Sequence, residues 1–129
     1  MAASVSRPEP SPARSLVRLK RRPEFLAAAR GRRTSAEAFS LQAVERPGEG
    51  DVAGVGFTVT RKIGGAVVRN RARRRLREAV AQLPPERFVG GWNYVVVARA
   101  PSLTCPFSQL RLDLEDCLRR IRQARPRVG

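Results

Sequence analysis

The sequence has no histidine, and that absence excludes more than any residue it contains. Without imidazole there is no Ser-His-Asp or Cys-His nucleophile pair and no His-based zinc site. The two cysteines, Cys105 and Cys117, are too few for a four-ligand metal site or a disulfide framework. They can form one bridge, or serve as small apolar fillers in a reduced chain. No apolar run approaches the ~18 residues of a membrane span. The opening segment MAASVSRPEPSPARS lacks the apolar stretch of a secretion signal, so a cytoplasmic location is expected. Acids are scarce as well: 11 Asp and Glu stand against 26 Lys and Arg, leaving a net charge of +15 on 129 residues. Those acids are scattered, and Asp113, Glu115 and Asp116 fall in a helical stretch rather than a convergent site. Lysine too is nearly absent, with only Lys20 and Lys62 among the basic residues.

What is present is an arginine-rich chain of single-domain length. Its unneutralised charge calls for a polyanionic partner, nucleic acid or an acidic membrane surface. Arginine suits bidentate phosphate contacts and base stacking, although codon bias in a G- and C-rich genome also favours arginine. Residues 1–15, with Pro8, Pro10 and Pro12, read as a disordered tail, 16–122 as one domain, and 123–129 as a basic tail.

Within the domain, Pro23 to Arg30 reads as a short helix stopped by Gly31. Ala38–Val44 and Val52–Thr60 alternate like strands, and the Gly-rich turn at 47–51 suggests that they pair as an antiparallel hairpin. The second strand has Val55, Phe57 and Val59 on one face and Gly54, Gly56, Thr58 and Thr60 on the other. That small, polar face suits close packing against a helix, or a surface left open for a ligand. After Gly64-Gly65, a helix is expected from Ala66 to Leu83, with an apolar stripe of Val68, Ala72, Leu76, Ala79, Val80 and Leu83. Trp92–Arg99 reads as a buried strand in which Trp92 and Tyr94 pack, and a last helix runs from about Pro106 or Ser108 to Arg122. The fold class is α+β: a two-layer sandwich of a small, mostly antiparallel sheet and three helices.

Eight basic residues lie between Arg61 and Arg77. On the helical wheel Asn70, Arg73, Arg74 and Arg77 share the arc opposite the apolar stripe, with Arg69 and Arg71 in the first turn beside Asn70. Glu78, four residues after Arg74, is placed to be its intrahelical partner. A solvated basic face is one reading. The concentration of charge on one helix after a Gly-Gly pair favours nucleic-acid binding.

The string GFTVTRKIGGAVVRNRARRRLREAV resembles the signature of the bacterial ribonuclease P protein subunit, with its strand, basic pair, glycine and Arg-Asn-Arg helix. LKRRPEF at 19–25 is similar to that family's first helix, and YVVVAR at 94–99 to its later strand. The resemblance implies an αβββαβα order like that of the second domain of a small-subunit ribosomal protein, with one more short strand and a left-handed crossover. It implies a protein without catalytic or metal-binding residues of its own, serving an RNA that uses magnesium to hydrolyse the 5′ leader from precursor tRNA, one protein per RNA and with no protein partner required. Arg69, Asn70, Arg71, Arg73, Arg74 and Arg77 are then the RNA-subunit contacts. Phe25, Ser40, Gln42, Thr58, Thr60, Arg61 and Lys62 are the candidates for a cleft holding the leader, with Phe25 stacking a base; read from the residues alone, Phe25 is an ordinary core anchor. The family often has aromatics where Ser40 or Gln42 and Leu118 stand here, so this cleft should rely more on charge. The competing readings are a structural RNA-binding protein of ribosomal type and a basic peripheral membrane protein. The last fits poorly, because the apolar stripe is Ala- and Val-rich like a core.

Overall fold

The computed structural model describes residues 11–46 and 50–125. The expected tails at 1–10 and 126–129, and residues 47–49 of the turn, lie outside the described residues. The elements in chain order are β1 (Ser15–Arg18), α1 (Arg22–Ala29), β2 (Arg32–Ser35), β3 (Phe39–Glu45), β4 (Val52–Thr58), α2 (Ala66–Ala81), β5 (Trp92–Ala98) and α3 (Phe107–Ile121), with short 3-10 turns between several of them.

The five strands form one sheet in the order β1-β4-β5-β3-β2. β1–β4 and β4–β5 are parallel, while β5–β3 and β3–β2 are antiparallel, so the sheet is evenly mixed. The expected β3–β4 hairpin does not form, because β5 lies between the two strands and pairs with both. The physical reason lies in β5 itself. WNYVVVA is apolar on both faces, and such a strand is stable only where both faces and both edges are covered. Strands adjacent in sequence are usually neighbours in a sheet; here the need to bury β5 outweighs that tendency.

Helices cover both faces unequally. Phe39, Leu41, Ala43, Val55, Tyr94 and Val96 pack with Ala72, Leu76, Leu110, Leu114 and Leu118 of α2 and α3 in the main core. The opposite face carries Val95 with Leu19 and Ala28, flanked by Phe25, Val44 and Val97, under the shorter α1. Within the main core the Tyr94 hydroxyl accepts a hydrogen bond from the Val89 N–H at 2.8 Å, and the Phe88 and Tyr94 rings meet edge to face with centroids 5.1 Å apart. Burial pushes the Tyr94 phenol up to about 12, despite the opposing Val89 hydrogen bond. Cys117 is buried and Cys105 half-buried, both as free thiols.

The body starts earlier than expected. Ala13 is fully buried, Gly90 N–H donates to Ser11 O, and Arg14 N–H donates to Asp51 O, so residues 11–15 belong to the packed domain rather than to a tail. β1 and β2, absent from the sequence reading apart from one expected extra strand, are four-residue strands at the two edges of the sheet. At the other end, the Arg32 guanidinium fixes Gln123 and Ala124 in place by donating to the carbonyls of Arg122 and Ala124, both at 2.9 Å.

Candidate nucleic-acid interface

Helix α2 begins where Gly64 turns the chain at φ 151°, a conformation that favours glycine; a Cβ there would also meet Val68. Ala72, Leu76, Ala79 and Val80 then anchor the helix to the sheet, and this fixes which side chains face outward. Asn70, Arg73, Arg74 and Arg77 line one depression of about 280 Å³. Arg73 donates to Asn70 Oδ1 at 3.1 Å, which holds the asparagine carboxamide within the basic group. Arg69 is half-buried in the first turn and Arg71 is exposed. Among the described residues, no ion pair joins Arg74 to Glu78, so the expected intrahelical pair is not formed and the Arg74 charge is left to the surface.

Arg75 has a different role. It turns toward α3 and donates to the carbonyls of Ser102 at 2.7 Å and Cys105 at 2.6 Å. This one arginine of the helix ties α2 to the 3-10 turn Ala100–Leu103 and to the lead-in of α3.

The second candidate surface lies on the α1 face of the sheet. Register places Ser40 and Gln42 of β3, Gly56 and Thr58 of β4, and Val95 and Val97 of β5 on this face. The Phe25 ring, half-buried, lies over Gly56 so closely that a Cβ there would come within 2.6 Å of Phe25 Cζ. The glycine face of β4 thus packs closely against α1, the first of the two uses open in the sequence, with the half-buried Thr58 and Gln42 on the same face of the sheet. Ser40 is buried, with its hydroxyl engaged by Arg33 and Ser35, so it supports the cleft floor rather than facing solvent. Thr60 is not on the strand. With Arg61 and Lys62 it forms an exposed rim leading from the end of β4 toward α2.

The two surfaces expected separately are continuous. A depression of about 170 Å³ is lined by Phe25, Gly56 and Leu19 together with Arg18, Arg73 and Arg77. Arg73 and Arg77 therefore belong both to the outward face of α2 and to the mouth of the Phe25 cleft. Partial desolvation, then the like charges of Arg18 and Arg73, lower the Arg77 guanidinium from its ordinary pKa. An arginine remains charged under that load, and phosphate oxygens placed among the three would relieve the repulsion. Arg18 escapes the sequence reading as a site residue because only the pairing of β1 with β4 carries it there.

Among the described residues, no group of three or more His, Cys, Asp or Glu side chains could hold a metal ion. No helix among them is long and apolar enough to cross a membrane.

The ribonuclease P family model matches residues 14–122. The ribonuclease P protein component of Paramagnetospirillum magneticum is 47% identical over 110 residues, covering 82% of this chain and 83% of the relative. That of Ruegeria pomeroyi is 45% identical over 111 residues, covering 84% and 88%. Among solved structures, the RNase P protein of Thermotoga maritima superposes with a TM-score of 0.67 at 28% identity, over 81% of this chain and 96% of that one. The Staphylococcus aureus RNase P protein gives 0.64 at 25% identity, over 80% and 93%. Sequence and fold agree along nearly the whole described domain, and the chain belongs to the ribonuclease P protein family.

Proposed function

We propose that this protein works as the RNA-binding accessory subunit of ribonuclease P, with α2 docked on a catalytic RNA and the Phe25 cleft holding the 5′ leader of precursor tRNA. Family membership makes it the protein component of a tRNA-processing endoribonuclease. The finer assignment rests on one observation: Arg73 and Arg77 are shared between the basic face of α2 and the mouth of the cleft. One RNA seated on α2 and a single strand entering the cleft would then meet at those two side chains. The basic row neutralises phosphates and Asn70 adds hydrogen-bonding capacity beside them. Phe25 offers a face on which an unpaired base stacks without sequence demand. The hydrolysis belongs to the RNA and its magnesium; the protein's part is to bind and orient the leader. One protein per RNA, acting in the cytoplasm, completes the assignment.

Reconstitution tests this. The protein is added to a bacterial ribonuclease P RNA at low magnesium, and precursor tRNA cleavage is measured. The wild-type chain is expected to restore cleavage, a triple Arg69→Ala, Arg73→Ala, Arg77→Ala variant to lose most of that gain, and the protein without RNA to cleave nothing. Failure of the wild type to restore cleavage, or correct processing by the protein alone, overturns the assignment.

A further inference from the structure

Beyond Phe25, where α1 covers Val95, the same face of the sheet ends at the edge strand β2 and its Arg33. On the α1 face, register sets Gly56, Val95, Gln42 and Arg33 in one transverse row, and Thr58, Val97, Ser40 and Ser35 in the next. β2 is an edge strand, so both rows end at its side chains. Arg33 is exposed and donates through Nη2 to Ser40 Oγ at 3.4 Å, and the Ser35 and Ser40 hydroxyls lie 3.3 Å apart.

The adjacent arginine shows what a fully used guanidinium looks like in this strand. Arg32 points to the other face. There it pairs with Glu45 at 2.8 Å, donates to the Arg122 and Ala124 carbonyls, and lies 4.6 Å from the centroid of the Trp92 ring. Arg33 has no carboxylate partner among the described residues. Its one hydrogen bond is long, and a guanidinium carries five N–H donors. The serine pair steadies the side chain on the cleft side and leaves most of its donors open.

We propose that Arg33, seated on the Ser35–Ser40 hydroxyl pair, is a phosphate anchor for single-stranded RNA that leaves the cleft and passes to the β2 edge of the same sheet face. This rests on the leader-cleft reading and extends it. From Gly56, under Phe25, to Arg33 is three strand spacings, about 14 Å at about 4.8 Å each. A stacked strand advances about 3.4 Å per nucleotide, and it must pass around α1 over the buried Val95, so Arg33 reaches a phosphate at least about four nucleotides from the base at Phe25. Short leaders never arrive there.

The test measures the affinity of the reconstituted holoenzyme for precursor tRNAs with leaders of increasing length, across a salt series. With long leaders, Arg33→Ala is expected to flatten the log–log salt slope by about 0.7 and to weaken binding about fivefold at about 0.1 M salt, the release of one counterion from a single strand. Leaders too short to span the sheet should bind the variant and the wild type alike, and Arg33→Lys should keep the slope. Equal long-leader affinity for Arg33→Ala and wild type, or an equal loss on short leaders, overturns the anchor. Phe25→Ala separates the two levels of the argument. If it weakens leader binding while Arg33→Ala does not, the anchor alone fails; if the wild type shows no dependence on leader length, the cleft reading itself fails. Equal thermal midpoints confirm that the exposed Arg33 substitution leaves the fold intact.

Discussion

Arg74 and Arg75 are adjacent on one basic helix, and the structure gives them opposite jobs. Replacing Arg75 by alanine removes two hydrogen bonds from a charged donor, to Ser102 O at 2.7 Å and Cys105 O at 2.6 Å. Such bonds contribute about 1.5–3 kcal/mol each when fully formed and shielded. Here the site is only partly buried, and water recovers some of the loss, so about 2 kcal/mol in total is a fair figure. Unfolding entropy near 2.1 cal/mol/K per residue over 129 residues gives about 0.27 kcal/mol/K, so the midpoint should fall by about 7 °C. Arg74→Ala removes an exposed side chain with no ion-pair partner among the described residues and should hardly move the midpoint. Binding reverses the order. Arg74→Ala should flatten the salt dependence of affinity for the RNA subunit by about 0.7 to 0.9 for each phosphate left unneutralised, and Arg75→Ala should not. Thermal unfolding followed by circular dichroism, together with RNA titrations across a salt series, measures both quantities. An unchanged midpoint for Arg75→Ala, or equal flattening by the two variants, would refute this division of labour.

Two further outcomes follow from the packing. Gly56→Ala places a Cβ within 2.6 Å of Phe25 Cζ and should displace that ring; the preference for precursor over mature tRNA should then fall by up to the ~1–3 kcal/mol of one base stack, while affinity for the RNA subunit holds, and an unchanged preference would count against Phe25 as the stacking platform. Tyr94 is the only tyrosine, so phenolate absorbance reports on it alone. Its folded-state pKa, raised from 10.0 to about 12, means that the stability gained by keeping the phenol neutral is complete below pH 10 and is lost as pH rises toward 12. Ionisation should therefore coincide with unfolding above pH 10, and a titration centred at 10 in the intact fold would contradict the burial argument.

The parts of the fold with strong periodicity are legible in the sequence. α2 and α3 carry apolar stripes at helical spacing, α1 is bracketed by Pro23 and Gly31, and β3, β4 and β5 lie within two residues of their expected bounds. β1 (SLVR) and β2 (RRTS) are not legible, because four residues hold at most two alternations and their polar content reads as tail or loop. Strand pairing escapes for a different reason. Proximity in sequence suggests β3 with β4, whereas two-sided burial decides which strand takes the centre, and β5 has that pattern along nearly its whole length. At the site, the arc of Asn70, Arg73, Arg74 and Arg77 follows directly from the helical wheel. The contribution of Arg18 and the joining of the two surfaces arise from sheet pairing and helix placement together, which no local pattern encodes.

The placement of β5 also bears on how the chain is made. Sheet neighbours β1 and β4 on one side, and β2 and β3 on the other, share no hydrogen-bonded strand until residues 92–98 emerge from the ribosome and fill the gap between them. Until then the inner edges of β3 and β4 are unpaired, a state prone to wrong association. The core closes later still, when α3, the last element, brings Leu110, Leu114, Leu118 and Ile121. Folding therefore waits for nearly the whole chain, and the dense positive charge of the unfinished protein serves meanwhile to hold nascent copies apart.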